Sequence, residues 1–530
     1  MTNPYELSQG KLHEFSLVLR AGALVLFAYV LFQTAWVAED AVISFRVIDN
    51  LLNGYGPVYN VGERVQVFTN PLFTFSLAIL AFFTRELFYT GIAFSAILSI
   101  ATVYILGWKI ARSPLTGGLL ILCLSMSFSF VDYSTSALEN PMTHFLMALF
   151  YSIFFKNYDL AQFGRSLLIK LLLIVCLSIL NRLDSIIFYL PALVVFFFNT
   201  KFKDFVISFL ISFTPFIFWE IFSLMYYGYL LPNTVYAKLN LAIDSALIFK
   251  NGIFSIIVSM MLDPVLAFIV PFFGFAVYYQ HKRERVFIQA GITFLIYLFM
   301  VINYGGDYMA GRFYTGIMLF LSIFLATIHV EKFRNSVCIM LFLICLLFNF
   351  SNPNSPISSK NNFGRTEETK TKFYFGGVVN ERTYWYDLPD NKYALGMMSN
   401  LKSIKVHNFS RSDSHQIARV VPTRMAGIYC YDLDRNIYIL DLGALCDPLL
   451  SKLPYKMRDD FRIGHYFRDA PAGYAETILT GEDRFKNKNL GHYYAKLKII
   501  VRDPIFSVER FKTILTMNFG GYSHLLKEVN

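Results

Sequence analysis

The chain has 530 residues, of which 55% are hydrophobic, 17% aromatic and only 16% charged. This composition excludes a water-soluble globular protein, because apolar runs this long and numerous cannot all be buried in a soluble core. The net charge of +10 does not indicate nucleic-acid binding, because Lys and Arg lie mostly in short loops and in the tail, without a basic stripe interleaved with aromatic residues.

Eleven apolar stretches are long enough to predict bilayer-spanning helices. They are 17–36, 90–108, 115–131, 142–155, 166–180, 186–198, 205–226, 253–279, 287–302, 313–328 and 337–350. The shorter stretch 72–83 is closed by Arg85 and Glu86, so we expect an interfacial or re-entrant helix there. The pattern predicts a polytopic α-helical membrane protein with about 11 transmembrane helices.

The charges of the loops predict which side of the membrane each loop faces. With eleven spans the basic loops fall on one side, which the positive-inside rule makes cytoplasmic. These loops carry Lys11, Lys109, Arg112, Lys156 to Lys170, Lys201, Lys203, 281–285, Lys332 and Arg334. The exoplasmic side then receives 37–89, 132–141, 181–184, 230–250, 303–312 and everything after Phe350.

Composition also predicts how the chain divides into domains. Residues 1–350 form the predicted transmembrane domain, which includes the long first exoplasmic loop 37–89. A stretch rich in Pro, Ser and Asn predicts a linker at 351–362. The tail 363–530 has soluble composition and β-prone runs such as 436–440, so we expect a mixed α/β exoplasmic domain.

Two adjacent carboxylates, Glu39 and Asp40, follow the first span. Residues 38–53 have helical periodicity, with apolar and polar positions on different faces, which predicts an amphipathic helix lying along the membrane interface. The helix dipole favours ionised carboxylates in the first turn, and such a group can accept a proton from a substrate hydroxyl. Simple capping of the helix would also explain the two carboxylates, and the local sequence pattern does not decide between the two interpretations.

Three cations, Arg182, Lys238 and Arg312, lie in predicted exoplasmic loops near span ends. Together they could hold an anionic head group such as a lipid phosphate. Arg182 could instead pair with Asp184, and each cation could simply mark a helix boundary by reaching to the interface. The glycine-rich loop 303–312 also carries Asp307.

Several cofactor motifs are absent from the sequence. We find no Walker A sequence, no glycine-rich dinucleotide turn and no zinc-type spacing of His and Cys. An ATP-driven pump is therefore disfavoured, and an enzyme of this kind would receive its activated donor through the membrane. Cys430 and Cys446 in the tail could form a disulfide if the tail faces an oxidising compartment.

A series of motifs resembles those of a known family. They are 39–46 (EDAVISFR), 49–56 (DNLLNGYG), 67–72 (VFTNPL), 136–141 (SALENP), 231–238 (LPNTVYAK), 305–313, 439–448 (ILDLGALCDP) and 462–465 (RIGH). In their order and side of the membrane they resemble GT-C glycosyltransferases, and especially the terminal arabinofuranosyltransferases of mycobacterial and corynebacterial cell walls.

The resemblance implies a GT-C fold and transfer of a sugar from a polyprenyl-phosphate donor to an acceptor glycan or glycoprotein at the exoplasmic face of the bacterial cytoplasmic membrane. Arabinofuranose as the sugar rests on the resemblance alone, and the sequence leaves mannose, a deoxyhexose and aminoarabinose open as alternatives. The resemblance implies Asp40 as the general base, with Glu39 departing from the frequent Asp-Asp pair, and Arg182, Lys238 and Arg312 as ligands of the departing phosphate. It also implies donor- or acceptor-binding roles for Arg46, Asn70, Glu139, Asn233, Tyr236, Asp307 and His465. A divalent metal assists some relatives, and Glu39 with Asp40 could hold one here.

Two other classes of function compete with this interpretation. A transporter or flippase for a lipid-linked saccharide usually has charges at helix centres, whereas here the charges lie at span ends on one side. A non-catalytic envelope-assembly protein could use the tail to bind partners.

Overall fold

The computed structural model describes residues 4–158, 162–239, 241, 243–280, 284–352, 354–358, 374–386, 406–407, 417–458 and 461–526. Parts of the predicted linker 351–362, parts of the predicted tail domain 363–530 and the basic positions 281–283 lie outside the described residues.

The described residues are mainly helical, as predicted for a polytopic α-helical protein. The helices are α1 (Pro4–Thr34), α2 (Glu39–Leu52), α3 (Pro71–Thr84), α4 (Phe88–Ile105), α5 (Pro114–Met126), α6 (Phe128–Asp132), α7 (Asn140–Lys156), α8 (Arg165–Asn181), α9 (Leu190–Phe198), α10 (Phe202–Ser212), α11 (Thr214–Tyr226), α12 (Asn233–Leu239), α13 (Ser245–Leu262), α14 (Pro264–Gln280), α15 (Arg285–Asn303), α16 (Tyr314–Ala326), α17 (Glu331–Ser351), α18 (Glu381–Tyr386), α19 (Ile428–Tyr431), α20 (Tyr474–Thr480), α21 (Lys488–Arg502) and α22 (Val508–Asn518). The strands are β1 (Arg419–Thr423) and β2 (Ile437–Asp441).

The chain divides into two compact units whose boundaries do not follow chain order. Unit 1 consists of Met1–Ala38, Gly91–Thr214 and Ala246–Lys402. Unit 2 consists of Glu39–Thr90, Pro215–Ser245 and Ser403–Asn530. Residues 39–89 of the first loop therefore fold with residues 403–530 of the tail.

Several helices are long and apolar enough to cross a bilayer. By length and composition, five of the described helical segments pass, or six if the bent pair α10 and α11 is one span. The five are Gly10–Thr34, Phe88–Ile110, Ser245–Leu262, Arg285–Asn303 and Glu331–Ser351. Further apolar helices of 10–17 residues include α3, α5, α14 and α16. Every predicted span is mostly helical in the structure. Only five or six of the eleven predicted spans, however, coincide with described helices that are long enough to cross a bilayer.

The predicted span 253–279 is wrong as a single helix, because the chain breaks between α13 and α14. Pro264 cannot continue the hydrogen-bonding of α13, and it occupies the first position of α14. The buried Asp263 carboxylate accepts from Ser127 Oγ (2.6 Å), from Ser129 N–H (2.9 Å) and from Val265 N–H (3.1 Å). An Asp-Pro pair inside an apolar run is a sequence signal for this break.

Helix α13 lies along one end of the helices of unit 1. Its contacts, from its N-terminal half to its end, are Gly252 with Ile302, Ser255 with Asp307, Ser259 with Gly311 and Leu262 with Asn352. These partners all lie at helix ends that the charge pattern makes exoplasmic. By length and composition α13 is itself sufficient to span a bilayer, whereas α14 is one of the shorter apolar helices.

The inter-helix loops of unit 1 group into the two sets that the charge pattern predicts. Within the predicted cytoplasmic set, Arg112 Nε donates to Thr327 O (2.8 Å) and Arg334 Nε donates to Thr116 Oγ1 (3.1 Å). Within the predicted exoplasmic set, Asn140 Nδ2 donates to Arg312 O (3.1 Å), and the loops 132–141, 181–184 and 303–312 contact one another.

Unit 2 has one hydrophobic core, built from the first loop, residues 227–237 and the tail. Tyr59, Val67 and Phe68 of the loop pack with tail residues that include Leu440 and Leu497. Each such buried side chain contributes about 1.5–3 kcal/mol, so the loop owes its fixed shape to the tail. Strands β1 and β2 pair in parallel within this unit. Strand β2 confirms the predicted strand at 436–440, and the tail has the expected mixed α/β content.

Candidate active site

Helix α2 confirms the predicted helix at 38–53, but its polar face is buried and not open to the interface. Arg46 is 1% exposed. Its guanidinium donates to the carbonyl oxygens of Cys430 (2.7 Å), Tyr431 (3.1 Å), Leu433 (3.1 Å) and Tyr59 (3.2 Å). Arg46 therefore fastens the tail to α2, and this set of bonds leaves it poorly suited to the predicted sugar-binding role.

Glu39 opens α2 and is buried against the tail. Its Oε1 accepts a hydrogen bond from Gly427 N–H at 2.7 Å. Burial raises the pKa of Glu39 to about 8, and the neighbouring Asp40 charge adds to the shift. The expectation that the helix dipole keeps both carboxylates ionised is therefore wrong for Glu39, because desolvation outweighs the dipole.

Asp40 differs from its neighbour because it is only half-buried. His465 lies within electrostatic range of Asp40 and also of Lys238 and Arg462. Burial lowers the pKa of His465, Arg462 and Lys238 act in the same direction, and Asp40 raises it. The structure thus brings together predicted residues from the first loop, from α12 and from the tail.

We name Glu39, Asp40, Lys238, Arg462 and His465 the carboxylate cluster. Its two carboxylates are chemically distinct: Glu39 is held neutral at pH 7 by its surroundings, whereas Asp40 is accessible. A partly exposed carboxylate can accept a proton, and cations in the same cluster can stabilise a negative charge that develops there.

The tail motif 439–448 forms a loop that is held by the buried Asp441. Its carboxylate accepts from the backbone N–H groups of Gly443 (2.8 Å), Leu445 (2.8 Å) and Cys446 (2.9 Å). Asn233 fastens this loop to α12. Its amide donates to the carbonyl oxygens of Ala444, Leu445 and Asp447 and accepts from Ser451 Oγ. Four hydrogen bonds leave Asn233 little capacity for the predicted ligand contact.

Unit 1 contains a second cluster, which we name the arginine cluster: Glu139, Arg182, Asp184, Asp307 and Arg312. Arg182 donates to Asp184 (2.6 Å) and to Glu139 (2.8 Å), and Arg312 donates to Glu139 (3.3 Å). Arg312 also lies 4.0 Å from Asp307. The predicted structural pairing of Arg182 with Asp184 is thus present, and Glu139 joins the two arginines.

Charge balance in the arginine cluster differs from that of an open phosphate clamp. Burial alone would raise the pKa of Glu139, but Arg312 and Arg182 outweigh burial and bring it to about 2. Two cations therefore meet three carboxylates. The third predicted phosphate ligand, Lys238, is not a member of the arginine cluster. It belongs to unit 2, where it is a member of the carboxylate cluster.

Two other predicted ligand residues, Asn70 and Tyr236, lie in different parts of unit 2. Asn70 is buried at the start of α3, where its Oδ1 accepts from Thr74 Oγ1 at 2.9 Å. Tyr236 lines a cavity in unit 2 together with Arg64 and Tyr229.

The structure does not contain the disulfide that Cys430 and Cys446 could form. Both are buried free thiols, and Cys430 Sγ donates to Met425 O at 3.3 Å.

A divalent metal does not fit Glu39 and Asp40. The described residues contain no group of three or more His, Cys, Asp or Glu side chains suited to a metal ion. Glu39 also lies where its neutral form is favoured, whereas a hard cation needs ionised carboxylates.

Sequence reasoning alone assigned no site role to three residues in or beside the carboxylate cluster: Gly427, Asp441 and Arg462. Gly427 and Asp441 lie about 400 residues from Glu39 in the chain, and only the tertiary fold brings them near it. The motif at 462–465 was a usable signal for Arg462, because it carries a cation three residues before His465.

Glu39→Gln should change how stability depends on pH. The raised pKa means that Glu39 contributes stability that is complete below the ordinary Glu pKa and is lost as pH rises through about 8. Gln cannot ionise, so the thermal unfolding midpoint of the variant should fall less than that of the wild type between about pH 6 and about pH 10. Superimposable pH profiles for the two proteins would contradict the assignment.

Gly427→Ala should destabilise unit 2 by about 1–3 kcal/mol, the usual cost of overpacking. A Cβ at this position would lie 2.5 Å from both Cδ and the backbone O of Glu39, so the tail or α2 must shift. The measurement is the thermal unfolding midpoint of the purified protein. Gly164→Ala is the matched control, because a Cβ there meets nothing within 4 Å. Equal midpoints for the two variants would show that Gly427 is not needed for the contact.

No protein-family model matches the chain. The chain is 30% identical over 129 residues to the terminal β-(1→2)-arabinofuranosyltransferase of Mycobacterium tuberculosis, a match that covers 22% of this chain and 21% of that protein. The protein of the same name from Corynebacterium glutamicum is 41% identical over 49 residues, 9% of this chain and 7% of that one. The matches therefore span about a fifth or less of these relatives, and they confirm the predicted resemblance.

Among solved structures, ArnT from Cupriavidus metallidurans bound to undecaprenyl phosphate resembles the chain. The comparison covers 70% of this chain and 68% of that one, with 12% sequence identity and a TM-score of 0.38.

Proposed function

We propose that this protein is a glycosyltransferase that transfers arabinofuranose from a polyprenyl-phosphate donor to an acceptor glycan or glycoprotein. It would act at the exoplasmic face of the bacterial cytoplasmic membrane. The observation that carries the proposal is Asp40, a partly exposed carboxylate in the first turn of the largely buried α2, near His465, which also lies within electrostatic range of Lys238 and Arg462. The resemblance to arabinofuranosyltransferases supports the choice of sugar and of a lipid donor.

In the proposed reaction Asp40 is the general base. An acceptor hydroxyl attacks the anomeric carbon, its proton passes to the Asp40 carboxylate, and the bond between that carbon and the phosphate oxygen breaks. The neutral state of Glu39 keeps a second negative charge away from the base at pH 7. A positioned base of this kind contributes about 10²- to 10⁴-fold in rate.

The polyprenyl phosphate that leaves carries the negative charge that develops in the reaction. Lys238 is the exposed member of the carboxylate cluster, and with Arg462 it would stabilise this charge. Arg182 and Arg312 are further candidates for the phosphate, but they would have to exchange part of their bonding to Glu139 for it. Charge removal at Lys238 should therefore reduce transfer more than charge removal at Arg312.

Mass analysis of envelope glycans tests the proposal in the cell. Deletion of the gene should remove a terminal arabinofuranose from an envelope glycan or glycoprotein, and wild-type protein should restore it. A strain that makes Asp40→Asn at wild-type abundance should match the deletion. Unchanged glycans in the deletion strain would contradict the proposed function.

A further inference from the structure

Helix α22 and the residue that follows it carry large apolar side chains on the face that points away from the protein. Val508, Phe511, Leu515 and Phe519 are 69%, 37%, 57% and 87% exposed. Because they are three or four residues apart, they lie on one side of the helix, and we name them the apolar face. A helix on the surface of a water-soluble domain has the opposite arrangement, with its apolar stripe packed on the core.

The opposite side of α22 packs on unit 2 and includes a buried cation. Ile514 and Met517 belong to the hydrophobic core of unit 2, and Arg510 is also fully buried. A buried guanidinium is costly unless its hydrogen bonds are made. Arg510 makes them inside unit 2, with the carbonyl oxygens of Met225 (2.7 Å), Ile500 (2.8 Å) and Tyr226 (2.9 Å). These bonds fix the orientation of α22, so the outward position of the apolar face follows from the fold of unit 2.

Arg510 also attaches α22 to the end of α11. Met225 and Tyr226 are the last two residues of α11, whose carbonyl groups have no partner within the helix. The helix dipole favours a cation at this end. Asn518, in the last turn of α22, donates to Gly228 O (2.8 Å), just after α11. The first and last turns of α22 are thus both bonded to the C-terminal end of α11.

Helix α11 has the properties of a membrane-spanning segment. By length and composition it passes as one bent span together with α10. Four of its large apolar side chains are exposed, as is typical of contact with lipid: Ile217, Phe218, Ile221 and Phe222. The charge pattern predicts that the C-terminal end of α11 is exoplasmic. The surface of the bilayer therefore lies near the residues to which α22 is bonded.

A lipid surface suits the apolar face better than a charged partner does. The face contains no charged group, and Lys512 lies beside it on α22. At such a position a lysine can reach lipid phosphates while its stem stays in apolar surroundings. Since α22 is bonded to the end of α11, the lipid that covers the exposed side chains of α11 is the apolar phase nearest to this face.

We propose that the apolar face of α22 inserts into the leaflet that surrounds the C-terminal end of α11 and fastens unit 2 to the lipid surface. Interfacial helices of this kind bury their apolar side chains about 5–10 Å into the boundary between head groups and acyl chains. Asp40 belongs to the same unit, so the insertion would hold the carboxylate cluster close to the membrane. The lipid contact itself does not rest on the proposed function.

Fluorescence quenching by lipids tests this contact without any assay of catalysis. Purified full-length protein carries Leu515→Cys or Phe519→Cys, labelled with a thiol-reactive fluorophore, and the native cysteines are buried and do not compete. The protein is reconstituted into phosphatidylcholine vesicles with a nitroxide quencher near the head-group end of the acyl chains. Both labels should lose most of their fluorescence, and both should be shielded from iodide in the buffer on the two sides of the bilayer.

Glu482→Cys is the matched control in the same unit. Glu482 is exposed and pairs with Arg484 in the charged loop after α20. Its label should keep its fluorescence with the lipid quencher and lose it with iodide. High salt should leave the quenching at Leu515 and Phe519 unchanged, because salt screens charges and not apolar contacts, and a loss of quenching there would contradict the proposal.

Three further results would overturn the proposal. Quenching of the labels at Leu515 and Phe519 by iodide, and not by the lipid nitroxide, would show that the apolar face lies in water. Shielding from both quenchers would show that protein covers the face, and energy transfer between labelled molecules would identify that protein as a second copy of this chain. Equal quenching by the lipid nitroxide at Leu515, Phe519 and Glu482 would show that the lipid contact is not specific to α22.

Discussion

Asp40→Asn should reduce the kcat for sugar transfer by about 10²- to 10⁴-fold, the range that general-base catalysis contributes. Asn has nearly the same shape as Asp but cannot accept a proton at neutral pH. Because Asp40 is half-buried and opens α2 beside the buried Glu39, the substitution should leave the helix in place. The measurement is the initial rate of transfer by purified protein, with the unfolding midpoint recorded to exclude misfolding.

Glu39→Gln is the matched control for that experiment. At pH 7 Glu39 is already held neutral, so an amide of the same shape should keep most of the activity. Transfer by Asp40→Asn at the wild-type rate would show that Asp40 is not the base. Equal losses in both variants would show that the two carboxylates act as a unit.

Glu139→Ala should destabilise unit 1 by about 1.5–3 kcal/mol, because it removes the charged hydrogen bonds that the partly buried Arg182 and Arg312 make to their shared carboxylate. Glu139 is 3% exposed and contacts both arginines. Its lowered pKa means that it contributes stability that is complete above the ordinary Glu pKa and is lost as pH falls towards about 2. The measurement is the thermal unfolding midpoint of the purified protein at neutral pH.

The pair of Arg165 with Asp204 provides a control for Glu139. It is an ion pair of similar length, 2.5 Å, but its side chains are 51% and 32% exposed. Asp204→Asn should leave the unfolding midpoint close to that of the wild type, because solvent screens an exposed ion pair. If both substitutions shifted the midpoint equally, the arginine cluster would not stabilise unit 1 in the way described.

The helical membrane architecture could be predicted from the sequence because each span is a continuous apolar run. The loop grouping could also be predicted, because short basic loops alternate with polar loops along the chain. The break at Asp263 and Pro264 was missed, since an apolar run of 27 residues from 253 to 279 is compatible with one tilted helix as well as with two shorter ones.

The candidate site was predicted only in part, because its decisive contacts join residues that are distant in the chain. The helical periodicity of residues 38–53 predicts α2 and places Glu39 and Asp40 in its first turn. It could not show that Gly427 approaches Glu39 and alters its protonation, nor that carbonyl oxygens of the tail surround Arg46. The amphipathic pattern was interpreted as a membrane-facing surface because the sequence does not reveal which soluble segment covers a polar helix face.

A reconstituted assay tests the central claim most directly. Purified protein in proteoliposomes receives polyprenyl-phosphate arabinofuranose labelled in the sugar and a soluble arabinan acceptor, and the label is followed in the acceptor and in each leaflet. The account predicts that label enters the acceptor with wild-type protein and does not do so with Asp40→Asn. Movement of intact labelled lipid between leaflets, without label in the acceptor, would contradict it and indicate a transporter of the lipid-linked sugar.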